Sequence, residues 1–302
     1  MAALAQQTAP YPRTAHFLHL TDLHFRRVVL NPLHLLNKRF IGNANVALRR
    51  RHELLTHQAP AFLDYIAGLG VRDVVITGDL ASTSTDAEFE LARDFLQKLV
   101  QRGMAPRVIP GNHDVYTFES ARHRRFEKYL GEWAPAAALP AFAPLANGFP
   151  VLYVPTVCPN LLSSKGRIQP TEVEAVRALL STTSGPAIVA GHYPVLEKTY
   201  GYATKPNRRL RDADALAAAL REYAGPTLYL SGHVHRFSLV RDSAVPALTH
   251  LTSGALFRHD KASGHTGDFS EVHASRNGFQ IRRHRFVEKW LVTQETIRSA
   301  SS

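Results

Sequence analysis

Five short groups of residues in the sequence contain histidine, aspartate or asparagine, and four of them also contain glycine. The groups are Asp22-Leu23-His24, Gly78-Asp79, Gly111-Asn112-His113-Asp114, Gly191-His192 and Gly232-His233-Val234-His235. In an extended segment, side chains two residues apart point to the same side, so Asp22 and His24 can reach one ligand together. Imidazole, carboxylate and amide donors suit divalent first-row metals such as Mn, Fe, Co or Zn. The five groups therefore predict metal chemistry.

Each group follows a short apolar run that is typical of a buried strand. Seven such runs occur, at residues 16–21, 73–77, 107–110, 151–156, 187–190, 227–231 and 248–253. Segments of helical period lie between several of them, at residues 89–99, 173–180 and 213–223. The alternation predicts an α/β layer fold whose sheet is at least partly parallel. Ligands bind at the carboxyl ends of strands in such sheets, so the five groups can converge on one place.

The composition limits both the class of protein and the donors available to a metal. The chain has 302 residues, of which 45% are apolar and 20% charged, which excludes a disordered tail or a fibre. The single cysteine, Cys158, excludes a disulfide framework and a thiolate-rich zinc or iron–sulfur site. The amino terminus has neither a basic start nor an unbroken apolar stretch, so we expect a cytoplasmic protein. Residues 133–164 carry no charge but six prolines, which predicts a loop leading into a short strand.

In this order the motifs resemble those of the calcineurin-like metallophosphoesterase superfamily, over residues 17–254. The resemblance implies a four-layer α/β/β/α sandwich with two divalent metal ions (Mn, Fe or Zn). No internal repeat or composition break compels a domain boundary, so we expect a single domain over residues 1–302. The resemblance also implies a first metal held by Asp22, His24, Asp79 and His235, and a second held by Asp79, Asn112, His192 and His233. Asp79 would then bridge the two ions, together with a water or hydroxide.

A pair of metal ions polarises phosphoryl oxygens and generates hydroxide near neutral pH, which predicts hydrolysis of a phosphodiester or pyrophosphate bond. His113 is adjacent to Asn112 and is not a ligand in the family pattern, so it can supply a proton to the leaving group. Asp114 is expected to orient His113; the alternative for Asp114 is an ordinary turn-capping role.

Residues 25–66 form a predicted basic insertion after the first strand. Residues 25–52 contain seven Lys or Arg and no acid, and two amphipathic helices are expected, over residues 31–41 and from Val46 through Ile66. This pattern predicts a lipid-linked substrate and docking to an anionic membrane surface, making the protein peripheral to the inner face of the membrane. The insertion is loosely similar to that of UDP-2,3-diacylglucosamine pyrophosphatases. Arg26 and Arg27 are candidate phosphate clamps, and the alternative is that they are ordinary surface arginines. For the insertion as a whole, the alternative is a helical cap with a solvated basic rim.

The net charge of +11 comes from 36 basic minus 25 acidic residues, and it falls in two segments. Residues 25–52 contribute +7, and residues 275–298 contribute six basic minus two acidic residues, or +4. The second segment lies in a strand-rich basic extension, residues 255–302, that could contact nucleic acid, so a cyclic-nucleotide phosphodiesterase or a nuclease is the alternative function. Aromatic residues for base stacking are sparse there, which ranks nucleic acid lower. A metal-free scaffold is disfavoured because all seven ligand positions hold competent residues.

Overall fold

The structure of the protein is a computed structural model that describes residues 12, 14–27, 55–160, 163–196, 198–199, 202, 206–260 and 264–298. Most of the predicted basic insertion, including residues 31–51, lies outside the described residues. None of the described helices has both the length and the apolar character needed to cross a bilayer.

Seven strands form the first sheet. They are β1 (Ala15–Leu20), β2 (Asp73–Ile76), β3 (Ala105–Val108), β12 (His259–Asp260), β13 (His265–Ser275), β14 (Gly278–Phe286) and β15 (Trp290–Arg298). Their order is β15-β14-β13-β1-β2-β3, with β12 paired to β13. Strands β1, β2 and β3 are parallel, whereas β13 runs antiparallel to β1. The carboxyl ends of β1, β2 and β3 therefore meet at one edge.

The second sheet has six strands. They are β4 (Ala141–Pro144), β5 (Pro150–Tyr153), β7 (Ala187–Ala190), β9 (Thr227–Ser231), β10 (Ser238–Arg241) and β11 (Leu248–Thr252). Their order is β10-β11-β9-β7-β5-β4, and the four central strands are parallel. The short strands β6 (Gly166–Arg167) and β8 (Leu210–Arg211) pair separately.

Helices connect the parallel strands and cover both sheets. They are α1 (Ala59–Ala67), α2 (Asp86–Gln101), α3 (Phe118–Arg122), α4 (Arg125–Leu130), α5 (Pro170–Ser181) and α6 (Ala213–Glu222). A capping box starts α2: the Thr85 hydroxyl accepts the amide of Glu88, and the Glu88 carboxylate accepts the amide of Thr85. Pro170 occupies the first turn of α5, where a missing amide hydrogen costs nothing.

Three apolar clusters show how the layers stack. The first lies between one face of the first sheet and helices α1, α2 and α4. The second fills the space between the two sheets, where Phe17 and Val75 meet Ile188 and Leu230. The third joins the outer face of the second sheet to α5 and α6. The predicted α/β/β/α sandwich is therefore confirmed.

The structure also corrects several details of the prediction. Strands β4 and β10 are not among the predicted strands, and β4 interrupts the proline-rich segment predicted as a loop, whereas β15 falls within the strand-rich extension. Of the helix expected to run from Val46 through Ile66, the structure describes residues 55–66: α1 confirms it from Ala59 onward, but it is wrong over residues 55–58, because Leu55 is not helical and Thr56–Gln58 is a single 3-10 turn. Pro60, in the first turn of α1, favours a helix start at that point and lacks the amide that an earlier turn would use.

Candidate metal centre

The five motif groups lie together at the carboxyl ends of strands from both sheets. Strands β1, β2 and β3 of the first sheet are followed by Asp22 and His24, by Asp79, and by Asn112. Strands β7 and β9 of the second sheet are followed by His192, and by His233 and His235. The loops touch directly, since the amide of His233 donates to Asp22 Oδ2 at 2.9 Å. The convergence expected from the sequence is thus observed.

Five of these residues have left-handed backbone conformations that non-glycine residues seldom adopt. Asp22, His24, Asp79, His233 and His235 have φ values between 53° and 71°. Each such residue costs about 1–2 kcal/mol relative to a right-handed conformation. Strain of this kind concentrates at functional sites, where the surrounding structure enforces it. Here it aims successive side chains into one space.

The first donor cluster contains Asp22, His24, Asp79 and His235, whose ligand atoms all lie within 4.8 Å of one another. The Nε2 atoms of His24 and His235 are 3.0 Å apart. His24 Nε2 is 3.8 Å from an oxygen of each aspartate, and His235 Nε2 is 3.2 Å from Asp22 Oδ1. Two imidazoles and two carboxylates facing one point are a suitable donor set for a divalent ion.

The second donor cluster shares Asp79 and adds Asn112, His192 and His233. Asn112 Oδ1 lies 3.1 Å from His192 Nε2 and 2.8 Å from His233 Nδ1. His192 Nε2 lies 3.5 Å from Asp79 Oδ1. Because Asp79 faces both clusters, its carboxylate stands between two adjacent sets of donors.

Two carboxylate oxygens in this space are buried without a hydrogen-bond partner in the described part of the chain, Asp22 Oδ1 and Asp79 Oδ2. Burial raises the pKa of Asp79 well above its usual range, and the charges of Asp22 and Asp114 raise it further. Burial acts in the same direction on Asp22, but the neighbouring histidines, His235 first, hold its pKa well below the usual range. A buried carboxylate oxygen without a hydrogen bond is costly, and a cation bound to that oxygen offsets the cost. The residues therefore fit a bound metal.

Hydrogen bonds outside the clusters select which ring nitrogens face inward. His192 Nδ1 donates to the Thr77 carbonyl at 2.7 Å, and His233 Nε2 donates to the Arg208 carbonyl at 2.8 Å. Burial lowers the pKa of both rings, so they are neutral at pH 7. His192 Nε2 and His233 Nδ1 are consequently left with free lone pairs. Such outer hydrogen bonds are a regular feature of metal-binding histidines.

His113 lies beside the first cluster with its ring edge toward His24, at 4.9 Å between ring centroids. Its Nδ1 donates to the Ser82 carbonyl at 2.6 Å, and its ring stacks on Tyr116. This hydrogen bond fixes the ring orientation and commits the Nδ1 proton to Ser82. The ring is only half-buried, so it is accessible to a ligand.

The Asp114 carboxylate does not orient His113, and that expectation is wrong. Its oxygens accept the backbone amides of Ala81 (2.7 Å), Gly111 (2.8 Å) and Leu80 (3.2 Å), while the His113 ring is held by Ser82 instead. Burial raises the pKa of Asp114 to about 7, although these amides act against the rise. Asp114 therefore joins the loop that carries Asp79 to the loop that carries Asn112. By accepting backbone amides it plays a role close to the turn capping that was the alternative expected for this residue.

The candidate phosphate clamps lie just after the first cluster. Arg26 is half-buried and Arg27 exposed, and they follow Phe25, which forms a parallel bridge to Ala81. Sequence reasoning missed Arg258, whose Nη1 lies 3.0 Å from His235 Nδ1. Arg258 follows β11, which runs parallel to β9, so its carboxyl end lies at the same edge of the sheet as the motif groups. A basic residue just after that strand was the feature from which Arg258 could have been predicted.

Comparison with known proteins agrees with this geometry. The family model described as calcineurin-like phosphoesterase matches residues 15–237. A dimetal phosphatase from Danio rerio has 13% identity and a TM-score of 0.60, with 94% of this chain and 99% of that chain covered. Purple acid phosphatase PPD1 from yellow lupin has 11% identity and a TM-score of 0.60, with 94% and 55% covered. GAP50, the anchor in the inner membrane complex of Plasmodium, has 14% identity and a TM-score of 0.53, with 96% of this chain and 90% of that chain covered.

A search of curated proteins finds no significant match. The structural likenesses, all at low identity, support the fold, while the family match spans most of the chain and every motif group described above. On these grounds the chain belongs to the calcineurin-like phosphoesterase family and is a metal-dependent phosphoester hydrolase.

Proposed function

We propose that the protein hydrolyses a phosphodiester or pyrophosphate bond at a centre of two divalent metal ions. The observation that carries the proposal is Asp79, a buried carboxylate that faces two donor clusters and has one oxygen without a hydrogen bond in the described structure. A single carboxylate between two sets of nitrogen and oxygen donors is the arrangement expected for adjacent ions.

The proposed ligands divide between the two clusters. Asp22, His24, Asp79 and His235 would hold one ion, and Asp79, Asn112, His192 and His233 the other. Bound divalent ions supply Lewis-acid polarisation of the phosphoryl group and lower the pKa of water toward neutrality. The donor set contains no thiolate and so suits Mn, Fe or Zn without selecting one of them.

His113 is proposed to act as the general acid. Its Nδ1 proton is committed to the Ser82 carbonyl, so the proton that it can transfer is on Nε2 of the imidazolium form. Transfer to the leaving oxygen matters most when that oxygen would depart as an alkoxide, and a positioned acid contributes about 10²–10⁴-fold. The stacked ring of Tyr116 keeps the imidazole in place.

A lipid-linked substrate is the finer form of this proposal. It is supported by the basic insertion in the sequence and by an apolar cavity of about 220 Å³ lined in part by Phe62, Leu256, Phe257, Phe286 and Trp290. Phe257 directly precedes Arg258, which contacts His235 of the first cluster. A cavity of this size and apolar character can hold part of an acyl chain.

The central test is the metal dependence of phosphodiester hydrolysis. Protein stripped with a chelator should lose hydrolysis of bis-p-nitrophenyl phosphate and recover it with Mn²⁺. The variant Asp79→Asn should lose activity whether or not metal is added. Asp73→Asn is the matched control, since Asp73 is a buried aspartate at the start of the same strand β2 and accepts the amide of Ala146. Activity that survives chelation, or an active Asp79→Asn variant, would contradict the proposal.

The lipid-linked form has a separate test. Liposome flotation with and without anionic lipid would compare the wild type with a variant neutralised at Lys38, Arg39, Arg49, Arg50 and Arg51. The proposal expects flotation of the wild type only, and only with anionic lipid. Equal flotation of both proteins, or of neither, would refute membrane docking and leave the two-metal proposal intact.

A further inference from the structure

A second group of metal-binding residue types lies on the first sheet, outside the catalytic centre. His16 of β1 stands directly opposite His273 of the antiparallel strand β13. The two imidazole rings stack, with centroids 3.7 Å apart and planes inclined by 23°. Glu271 lies two residues before His273 on β13, and side chains two apart on a strand share a face.

The donor atoms of these three residues converge. Glu271 Oε1 lies 2.9 Å from His16 Nε2 and 3.2 Å from His273 Nε2. All three ligand atoms lie within 4.8 Å of one another. Each histidine side chain is 37% exposed whereas that of Glu271 is 5% exposed, so the cluster opens to solvent through its two rings.

The glutamate is held in place from behind. Its Oε2 accepts a hydrogen bond from His284 Nε2 at 3.1 Å, and the Tyr65 hydroxyl donates to His284 Nδ1 at 2.9 Å. The bond from His284 is the largest of the influences that keep the pKa of Glu271 well below its usual range, so the carboxylate is ionised at neutral pH. Burial lowers the pKa of His273 and favours its neutral form. A carboxylate oriented by a buried chain of donors is typical of metal sites.

The cluster is separate from the catalytic centre. His16 lies near the amino end of β1, whereas Asp22 and His24 follow its carboxyl end. At about 3.3 Å per residue, β1 alone places His16 about 13 Å from Leu20. The family's motif residues do not include any of the three.

We propose that His16, Glu271 and His273 form an additional site for Zn²⁺ or another first-row divalent ion. Two imidazoles and one carboxylate, with a remaining position open to water, are an established zinc-binding set. The guanidinium of Arg282 lies 3.4 Å from Glu271 Oε1, and because its side chain is 47% exposed it can turn to solvent when a cation takes that place. The site would join β1 to β13 at the end of the sheet remote from catalysis.

Zinc stoichiometry tests the proposal. Chelator-stripped protein would be equilibrated with a fixed concentration of free Zn²⁺, and the bound metal counted by mass spectrometry. The double variant His16→Gln and His273→Gln should bind one zinc fewer per chain than the wild type, with hydrolysis unchanged. His123→Gln is the matched control, because His123 is an exposed histidine 3.9 Å from Glu119 and makes no ring contact with another histidine in the described part of the chain. It should bind as much zinc as the wild type.

The thermal midpoint gives an independent measurement. Zn²⁺ should raise the midpoint of the wild type more than that of the single variant His273→Gln, which keeps the exposed surface close to native. If the double variant binds as much zinc as the wild type, or if Zn²⁺ shifts both midpoints equally, the three residues form a hydrogen-bonded cluster only and the proposal fails. Loss of one bound zinc without loss of hydrolysis supports the additional site. This outcome is independent of the proposed function, because the zinc count does not depend on which reaction the catalytic centre performs.

Discussion

Replacing Gly111 with alanine should displace Asp79, because the two loops that carry Asp79 and Asn112 pass in close contact at this glycine. A Cβ atom built on Gly111 would lie 2.8 Å from Asp79 Cγ and closer still to the Asp79 amide nitrogen and Oδ1. Ordinary contacts between carbon atoms are about 3.5–4.0 Å. One loop must therefore move by about 1 Å to accept the added methyl group.

The two loops cannot separate cheaply. The Asp114 carboxylate accepts amides from both of them, and the amide of His113 donates to Asp79 Oδ1 at 2.7 Å. Overpacking a site of this kind costs about 1–3 kcal/mol of folding free energy. A displacement of about 1 Å at a catalytic group can reduce the rate about 100-fold. We expect Gly111→Ala to fold, with lower stability and far lower activity.

Urea unfolding and kcat/KM for bis-p-nitrophenyl phosphate measure the two effects. Gly131→Ala is the matched control, since a Cβ at Gly131 meets only Glu127 Cβ, at an ordinary 3.9 Å. It should keep wild-type activity. If Gly111→Ala retained the wild-type rate and metal content, the close approach of the loops would not position Asp79, and the reasoning would be refuted.

Two further predictions concern proton transfer and acid stability. His113→Gln should lower kcat by about 10²–10⁴-fold for a substrate with an alkyl leaving group but much less for p-nitrophenolate, which needs no acid; equal losses in a comparison of the two substrates would argue against the role. Burial lowers the pKa of His19 and His250 to about 3, below the unfolded value of about 6.5. Because the unfolded chain alone takes up these protons, stability should fall as pH drops from about 6.5 to 3, by up to about 1.4 kcal/mol per pH unit for each ring. His250→Gln should reduce that slope in urea titrations at successive pH values, and an unchanged slope would contradict the assignment.

The sequence was sufficient to predict the layers and the convergence of the motif groups. Apolar runs such as Val74–Ile76 marked buried parallel strands, and the polar residues after them had to meet at one edge. That inference needs only the direction of the strands. Because helical segments connect successive runs, the strands they join are expected to be parallel. It places the groups at one edge of each sheet, whereas the meeting of the two edges depends on how the sheets stack, which strand direction alone does not determine.

Contacts that depend on chain geometry were beyond sequence reasoning. His16 and Glu271 are 255 residues apart, and only the antiparallel register of β1 and β13 brings them together. The role of Asp114 was misassigned because adjacency to His113 suggests contact, whereas the turn directs the two side chains to different partners. The positive φ values of Asp22 and Asp79 leave no mark in residue type, since aspartate is common in turns of every kind.

The hydrogen bonds between the two sheets explain how so strained a centre is held. The His192 ring of the second sheet donates to the Thr77 carbonyl of the first, and the His233 amide donates to Asp22 Oδ2. At Gly232 the approach is so close that a Cβ would lie 2.9 Å from Thr21 Cβ. These contacts join protein groups to one another, so the packing of the two sheets itself aims the donors at one space. Preorganised groups of this kind are usually the largest single source of catalysis in sites that stabilise developing negative charge.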